Sequence, residues 1–356
     1  AGVEISDDGQ VIFAWQYSFA LGGYRMVALD PDGNVLSQFD MAGQGWGYYA
    51  KHRVRLSDDG TRAIVPRHAQ AVLVDVLNGT TIDVHTASGS SGGEWIRSVA
   101  ISGDGTRYAM ASGEELSVRA QDEWGFWQDV LVLSHDDDAR RYGPLDLSRD
   151  GARLAYTLQH VSPSDAFELA LMEPDTGAEL TRVVQSAPGT WQALRAFDVD
   201  LADDGRTIAV ASLGDSDKVT PEAFVIDEEG VLLAEYHLNG SGVDVDLDAR
   251  AEVLVVGAED GHGYHNIGGY VVLADVRAPG LRLMGIPRAG EDLDLTLAGD
   301  AGHSIGVLWA APALGASRTP WGDSTLDFGA GATRVGTWAL SDGAARDLIT
   351  IGAELG

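Results

Sequence analysis

The sequence predicts an all-β fold made of seven similar units of four antiparallel strands, and three observations carry that expectation. A short hairpin motif recurs along the whole chain, a second hairpin follows most copies, and no segment keeps a 3.6-residue apolar period over the length of a helix. Glycine, at 45 of 356 residues, is too frequent for stacked helices.

The first motif reads VEISDDG from Val3, VRLSDDG from Val54, VAISGDG from Val99, LDLSRDG from Leu145 and VDLADDG from Val199. Two degenerate copies follow around Val243 and Leu295, with Ala249 and Ala301 at the turn position. Counted between Gly9, Gly60, Gly105, Gly151, Gly205, Ala249 and Ala301, the steps are 51, 45, 46, 54, 44 and 52 residues. That is the size of a four-stranded blade. In each copy Asp and Gly take a tight turn while the flanking Val, Leu and Ile alternate to give one buried strand face. The second hairpins include VALDPDGNVLSQF, VDVLNGTTIDVH, LALMEPDTGAELTRV and FVIDEEGVLLAEY, again with apolar alternation around a Gly, Asp or Asn turn. The units fall near 1–46, 47–93, 94–139, 140–190, 191–239, 240–288 and 289–356, with inner strands near Val3, Val54, Val99, Leu145, Val199, Val243 and Leu293.

These Ser-x-Asp-Gly hairpins resemble the blades of the TolB-like, YVTN and WD40-like seven-bladed β-propellers, and the resemblance spans the whole chain. It implies a single seven-bladed propeller domain with four antiparallel strands per blade. It implies no activity, because this fold carries enzymes, scaffolds and lectins alike. The chain begins on a first strand and ends on a fourth, so ring closure is expected to rest on packing of the first blade against the last.

Composition narrows the partners. With 54 acidic and 24 basic residues the formal charge is −30, which opposes binding to nucleic acid through the general surface. Only Lys51 and Lys218 are lysines, as in the acidic, lysine-poor surfaces of salt-adapted or high-GC organisms. No cysteine is present, which removes disulfides, zinc-thiolate sites and thiol nucleophiles. No run of about 18 apolar residues offers a membrane span. Because strand-like sequence follows Ala1 and Gly2 at once, Ala1 reads as the residue after a removed signal peptide, and a periplasmic or extracellular location is expected.

The two faces of such a ring differ in chemistry. The turns within SDDG and DPDG share one face, where short acidic turns are expected and DPDGN reads as a turn, not a calcium loop. The opposite face receives GQGWGYYAKH (43–52), SGSSGGEW (88–95), SHDDDARRY (134–142), APGTWQALR (187–195), PRHAQ, LQHVSPSD, SLGDSDKVTPE, EDGHGYHNIGG and a long connection over 310–333. Cations and aromatics collect there, which argues for a binding face on long loops around a rigid ring. The expected ligand site joins Trp46, Tyr49, His52, Arg53 and His68 to Tyr264, His265, Arg318 and Trp321. Its occupant would be an anionic or carbohydrate ligand, or a protein partner.

The inner strands add a second feature. Between their apolar residues stand Glu4, Arg53, Arg55, Ser98, Asp146, Asp198, Asp200, Asp244, Asp246 and Asp294. Carboxylates crowded into a channel repel one another, so either a cation, with Ca²⁺ the best match to oxygen ligands, sits among Asp198, Asp200, Asp244, Asp246 and Asp294, or these side chains accept hydrogen bonds from the neighbouring blade.

Three functions fit these residues: a binding module; a lyase of acidic polysaccharides, with Arg neutralising a uronate and His or Tyr removing the adjacent proton; and a transition-metal site among His52, His68, His135, His160, His262 and His265. No Gly-x-Ser-x-Gly elbow, phosphate loop or His-Glu-x-x-His occurs, so no nucleotide cofactor and no serine hydrolase or zincin chemistry is expected.

Overall fold

The computed structural model describes residues 2–276 apart from 19–22, 42–53, 88–94, 136–138, 162–164, 187–193, 215–219, 239 and 260–268, and beyond 276 the backbone of seven strands. The first sheet is β1 (Gly2–Ile5), β2 (Ile12–Ser18), β3 (Gly23–Leu29) and β4 (Val35–Met41). The second is β5 (Arg55–Leu56), β6 (Arg62–Arg67), β7 (Gln70–Asp75) and β8 (Thr80–Thr86), and the third β9 (Ser98–Ile101), β10 (Arg107–Ala111), β11 (Glu115–Gln121) and β12 (Trp127–Ser134). The fourth is β13 (Arg140–Leu147), β14 (Leu154–His160), β15 (Ala166–Glu173) and β16 (Ala178–Ser186). The fifth is β17 (Ala196–Leu201), β18 (Thr207–Ser212), β19 (Ala223–Asp227) and β20 (Leu232–Tyr236), and the sixth begins β21 (Gly242–Leu247), β22 (Val253–Glu259) and β23 (Gly269–Asp275). Every sheet up to this point pairs its strands in sequence order and antiparallel, and no helix occurs among the described residues.

The recurring turn explains the repetition. In the first unit the Gly9 amide donates to Ser6 O (2.8 Å), Ser6 Oγ–H donates to Asp8 Oδ1 (2.7 Å), and the Gln10 and Val11 amides donate to Asp8 Oδ1 and Ser6 Oγ. Serine and aspartate thus satisfy the amides that the turn exposes, and glycine takes the left-handed φ of +67°. The same geometry recurs around Ser57, Ser102 and Ser148. In the sixth unit the left-handed residue is Ala251 (φ +52°), not Ala249, because Asp248 has taken over as acceptor for the Glu252 and Val253 amides. The second-hairpin turn DPDGN is likewise closed by its own carboxylate, with Asp30 Oδ1 accepting the Asp32 and Asn34 amides.

Alternation converts these sheets into a ring segment. Each sheet buries a face against the next: Phe13, Met26 and Val72 between the first two, Leu73, Tyr108 and Met110 between the second and third. Leu116, Leu145 and Tyr156 fill the third junction, Phe167, Val199 and Phe224 the fourth, and Val225, Leu254 and Val272 the fifth. Glycine is needed at one of these contacts for space as well as φ: a Cβ on Gly60 would lie 2.6 Å from Val11 Cβ in the preceding sheet.

The last part of the chain pairs differently from the expected meander. It comprises β24 (Leu281–Met284), β25 (Asp292–Ala298), β26 (Ser304–Trp309), β27 (Ala311–Thr319), β28 (Gly322–Asp327), β29 (Thr333–Ala339) and β30 (Ala344–Thr350). Strand β25 lies between β24 and β30, β26 pairs with β29, and β27 with β28. The span 310–333, read from sequence as a long connection, therefore holds a hairpin closed by the Thr319–Gly322 register. Several strands here alternate alike, so alternation alone does not select their partners.

Candidate functional site

The site is built from the inner strands, each of which has one backbone edge with no further strand of its sheet to pair with. Unpaired amides at such an edge need acceptors. The side chains that alternate with the apolar residues supply them, one blade to the next. The Leu145 amide donates to Ser98 Oγ (3.2 Å) and the Leu201 amide to Asp146 Oδ2 (2.9 Å). The Val245 and Leu247 amides donate to Asp198 Oδ2 (2.9 Å) and Asp200 Oδ2 (2.7 Å). Asp146, Asp198 and Asp200 thus form a ladder that stitches neighbouring inner strands.

Arg55 supplies the positive charge among them. Its Nη1 lies 3.5 Å from Glu4 Oε1, and its side chain is 15 % exposed. Burial works against its charge, but Glu4, Asp146, Asp198 and Asp200 more than offset that, and its pKa is raised. The carboxylates respond in the opposite sense to simple pairing. Burial pushes Asp146 up to about 6 in spite of Arg55 and the Leu201 amide, and burial with the nearby Asp146 and Asp246 pushes Asp200 well up. Too many carboxylates share one arginine for all to ionise freely.

This geometry bears on the Ca²⁺ expectation. Among the described residues no group of three or more His, Asp or Glu is arranged to hold a metal ion, and Asp198 and Asp200 face backbone amides instead. Asp244 and Asp246 stand exposed on β21, and the side chain of Asp294 lies outside the described residues. The histidine-based metal reading meets the same finding for His68, His135 and His160, whereas His52, His262 and His265 lie outside the described residues.

At the turn-face mouth stands a residue that the repeat alignment passed over. Arg149 is the only arginine at the second position of the Ser-x-Asp-Gly turns. Rooted in the fourth blade, it reaches Asp58 (2.6 Å), Asp203 (2.8 Å) and Asp7 (3.4 Å), carboxylates of the second, fifth and first. Backbone bonds join the same turns in series, from Asp7 N–H to Asp58 O, Asp58 N–H to Gly103 O and Gly103 N–H to Arg149 O. An open cavity of about 370 Å³ lies beside it, lined by Asp58, Gly103, Asp104, Arg149, Asp150 and Asp203. The departure of SRDG from SDDG was the available signal.

Of the residues expected at the loop-face mouth, His68 is described. It adopts a left-handed φ of +51°, uncommon for a side-chain-bearing residue, and its ring stacks at a tilt on Trp95 with centroids 4.7 Å apart. Trp46, Tyr49, His52, Arg53, Tyr264, His265 and Trp321 lie outside the described residues; Arg318 is on β27 opposite Asp323. The structure does bring other loop-face residues together. His160 Nε2 (3.0 Å), Arg140 Nη1 (3.5 Å) and Arg182 Nη1 all meet the carboxylate of Glu168. Burial would raise the pKa of Glu168, but the His160 and Arg182 bonds outweigh it and lower it. An acid inside the apolar run FELALM marked this position in the sequence. Next to the cluster, His135 packs on Tyr142 (5.0 Å between centroids), and burial pushes the Tyr142 phenol up to about 12.

No protein-family model and no curated protein matches the chain. Solved structures do. Hydrazine synthase of Kuenenia stuttgartiensis aligns with a TM-score of 0.53 at 17% identity over 72% of this chain and 73% of that one. A protein from Lactobacillus plantarum aligns at 0.52 and 16% over 72% and 80%, and the Cps50 (Swd1) β-propeller domain of Myceliophteria thermophila at 0.54 and 13% over 76% and 80%. The successive four-stranded sheets and these likenesses define the chain as a β-propeller. At such identity they establish the fold and nothing about chemistry.

Proposed function

We propose that this protein is an exported binding propeller whose loop face takes an anionic carbohydrate. The observation that carries this reading is the Glu168 cluster: in a chain of charge −30, two arginines and a histidine converge on one carboxylate. Arg140 keeps 39 % of its side chain exposed, and a guanidinium is the group that meets a carboxylate or sulfate through charge-assisted hydrogen bonds. Trp95 and His68 supply ring faces of the kind on which sugars stack. Binding of size-defined uronate and sulfated oligosaccharides, followed by calorimetry, tests it. Arg140→Ala is expected to weaken binding by about tenfold, the value of one charge-assisted hydrogen bond; equal affinity of the variant, or no binding by any anionic sugar, removes the reading.

A lyase is the second reading, and His160 favours it, because Glu168 orients its ring beside Arg140, the pair of residue types that proton abstraction next to a uronate requires. Tyr142, with its phenol pushed up, is the poorer base. Ultraviolet absorbance from an unsaturated product, lost in His160→Ala, separates turnover from binding. Elemental analysis of purified protein decides whether Ca²⁺ accompanies either activity.

A further inference from the structure

Three outer hairpins of this chain close by the same turn. At the ends of β3, β11 and β19 an aspartate (Asp30, Asp122 and Asp227) accepts through Oδ1 the amides two and four residues on. Its N–H donates to the carbonyl four residues on, and its carbonyl accepts the amide of a glycine. Those glycines, Gly33, Gly125 and Gly230, share a left-handed φ of +84°, +85° and +81°. What the turns carry differs. Two residues after the aspartate stand Asp32, Trp124 and Glu229, and four after it Asn34, Phe126 and Val231. Because the backbone is the same with a carboxylate at the first position and an amide or valine at the second, the rings of Trp124 and Phe126 are not needed to close their turn. Nor are they packed: at 76 % and 71 % exposed they are the most open of the large apolar side chains among the described residues. Gln121 Nε2 donates to Gly125 O (3.0 Å), which adds one more bond holding this tip in place.

The face around the tip is acidic. The Gln121 amide donates to Thr106 O (2.9 Å), which sets the tip beside the Ser-x-Asp-Gly turn of its own blade, and Glu123 stands exposed next to Trp124. Arginines on this face are already paired, Arg107 with Asp175 (2.7 Å), Arg153 with Glu173 and Arg206 with Glu228 (3.0 Å), so the charge left over is negative. We propose that the Trp124 and Phe126 tip docks an arginine-bearing segment of a partner protein. A guanidinium stacks on the indole face while Glu123 meets its charge, and Phe126 gives an adjoining apolar side chain a surface to cover. Charge complementarity selects this occupant. A second copy would bring one acidic face against another, and an anionic lipid surface would be repelled. The tip lies on the face opposite the Glu168 cluster, so this docking does not depend on what the loop face binds.

The test titrates the full chain, by calorimetry, with a synthetic peptide of alternating arginine and leucine and with the same peptide carrying glutamine for arginine. Trp124→Glu and Phe126→Asn bring in the residue types that the sister turns hold at Glu229 and Asn34, so both variants are expected to melt within about 1 °C of the unsubstituted protein. Trp124→Glu also adds negative charge, so attraction by bulk charge alone would tighten binding. Arginine-peptide binding is expected to weaken about fivefold in Trp124→Glu and about threefold in Phe126→Asn and Glu123→Gln, with no binding of the glutamine peptide. Equal or tighter binding by Trp124→Glu, or no binding of the arginine peptide by the unsubstituted protein, overturns the proposal. So does a neutral oligosaccharide whose affinity falls in Trp124→Glu while that of the peptide does not, since a sugar would then be the occupant. A dimer that Trp124→Glu converts to monomer overturns it as well, because a second copy would then be the cover.

Discussion

Two arginines organise the two charged regions of this molecule, and burial makes them different devices. Arg55 lies buried among the inner-strand carboxylates Glu4, Asp146, Asp198 and Asp200, while Arg149 stands 47 % exposed on the turn face among Asp7, Asp58 and Asp203. The chemistry is the same, one guanidinium for several carboxylates. Around Arg55, desolvation penalises every uncompensated charge, so protonation states shift. At the mouth, water screens the pairs and the contacts act mainly as geometry, holding turns from four blades at one point.

The sharpest way to break the contrast is to remove each arginine. Arg55→Met leaves buried carboxylates without their counter-charge, and urea unfolding at pH 8 is expected to show a loss of about 3–5 kcal/mol. At pH 5 the loss should shrink, because Asp146, pushed up to about 6, accepts a proton there. An equal loss at both pH values would mean that Arg55 acts through packing of its stem.

The buried carboxylates around Arg55 give a second, smaller effect of fixed sign. Asp146 has a folded pKa of about 6, above its ordinary value of 3.8, so the folded state binds more protons between those limits. Its contribution to stability is therefore largest below pH 4 and is lost as pH rises to about 6. Asp146→Asn, which keeps an acceptor for the Leu201 amide, is expected to raise stability at pH 8 by on the order of 1–2 kcal/mol and to flatten the profile between pH 4 and 6. The turn aspartates Asp8, Asp59, Asp104 and Asp150 act oppositely. Their pKa values are lowered by backbone and serine hydrogen bonds that outweigh burial, so their contribution is present above pH 4 and lost on further acidification.

The smallest effect belongs to the mouth. Arg149→Gln is expected to cost about 0.5–1 kcal/mol in dilute buffer and nothing in 1 M salt, where the screening length falls to about 3 Å. Thermal melts of both proteins across a salt series check this. A loss that persists in 1 M salt would place Arg149 with Arg55 as a structural charge.

Much of this was legible beforehand. The spacing of Gly9, Gly60, Gly105, Gly151 and Gly205 located five blades, since turn chemistry is local and each Ser-x-Asp-Gly copy closes on its own atoms. The alternation of Asp198 and Asp200 with Val199 marked them as a set apart from the apolar face of their strand. Whether those carboxylates meet a cation or an amide was open, because the acceptor and the donor lie 47 residues apart. The Glu168 cluster was half visible: Arg140 and His160 stood among the loop-face cations, but the acid joining them sits on a third strand. Ala251 was misread as Ala249 because without glycine or serine the turn has no local marker, and only the Asp248 bonds reveal its register.

Sequence alone determined what short-range physics encodes: strand alternation, the self-closing turns, the repeat length and the excess of negative charge. Tertiary structure decided what depends on distant residues meeting. It chose the partners of the inner-strand aspartates, moved the protonation of Asp146 through burial beside Arg55, and set Arg149 between carboxylates of three other blades. The reason is that alternation says which face of a strand avoids water, whereas the group across from that face, and the dielectric between them, exist only once the sheets have come together.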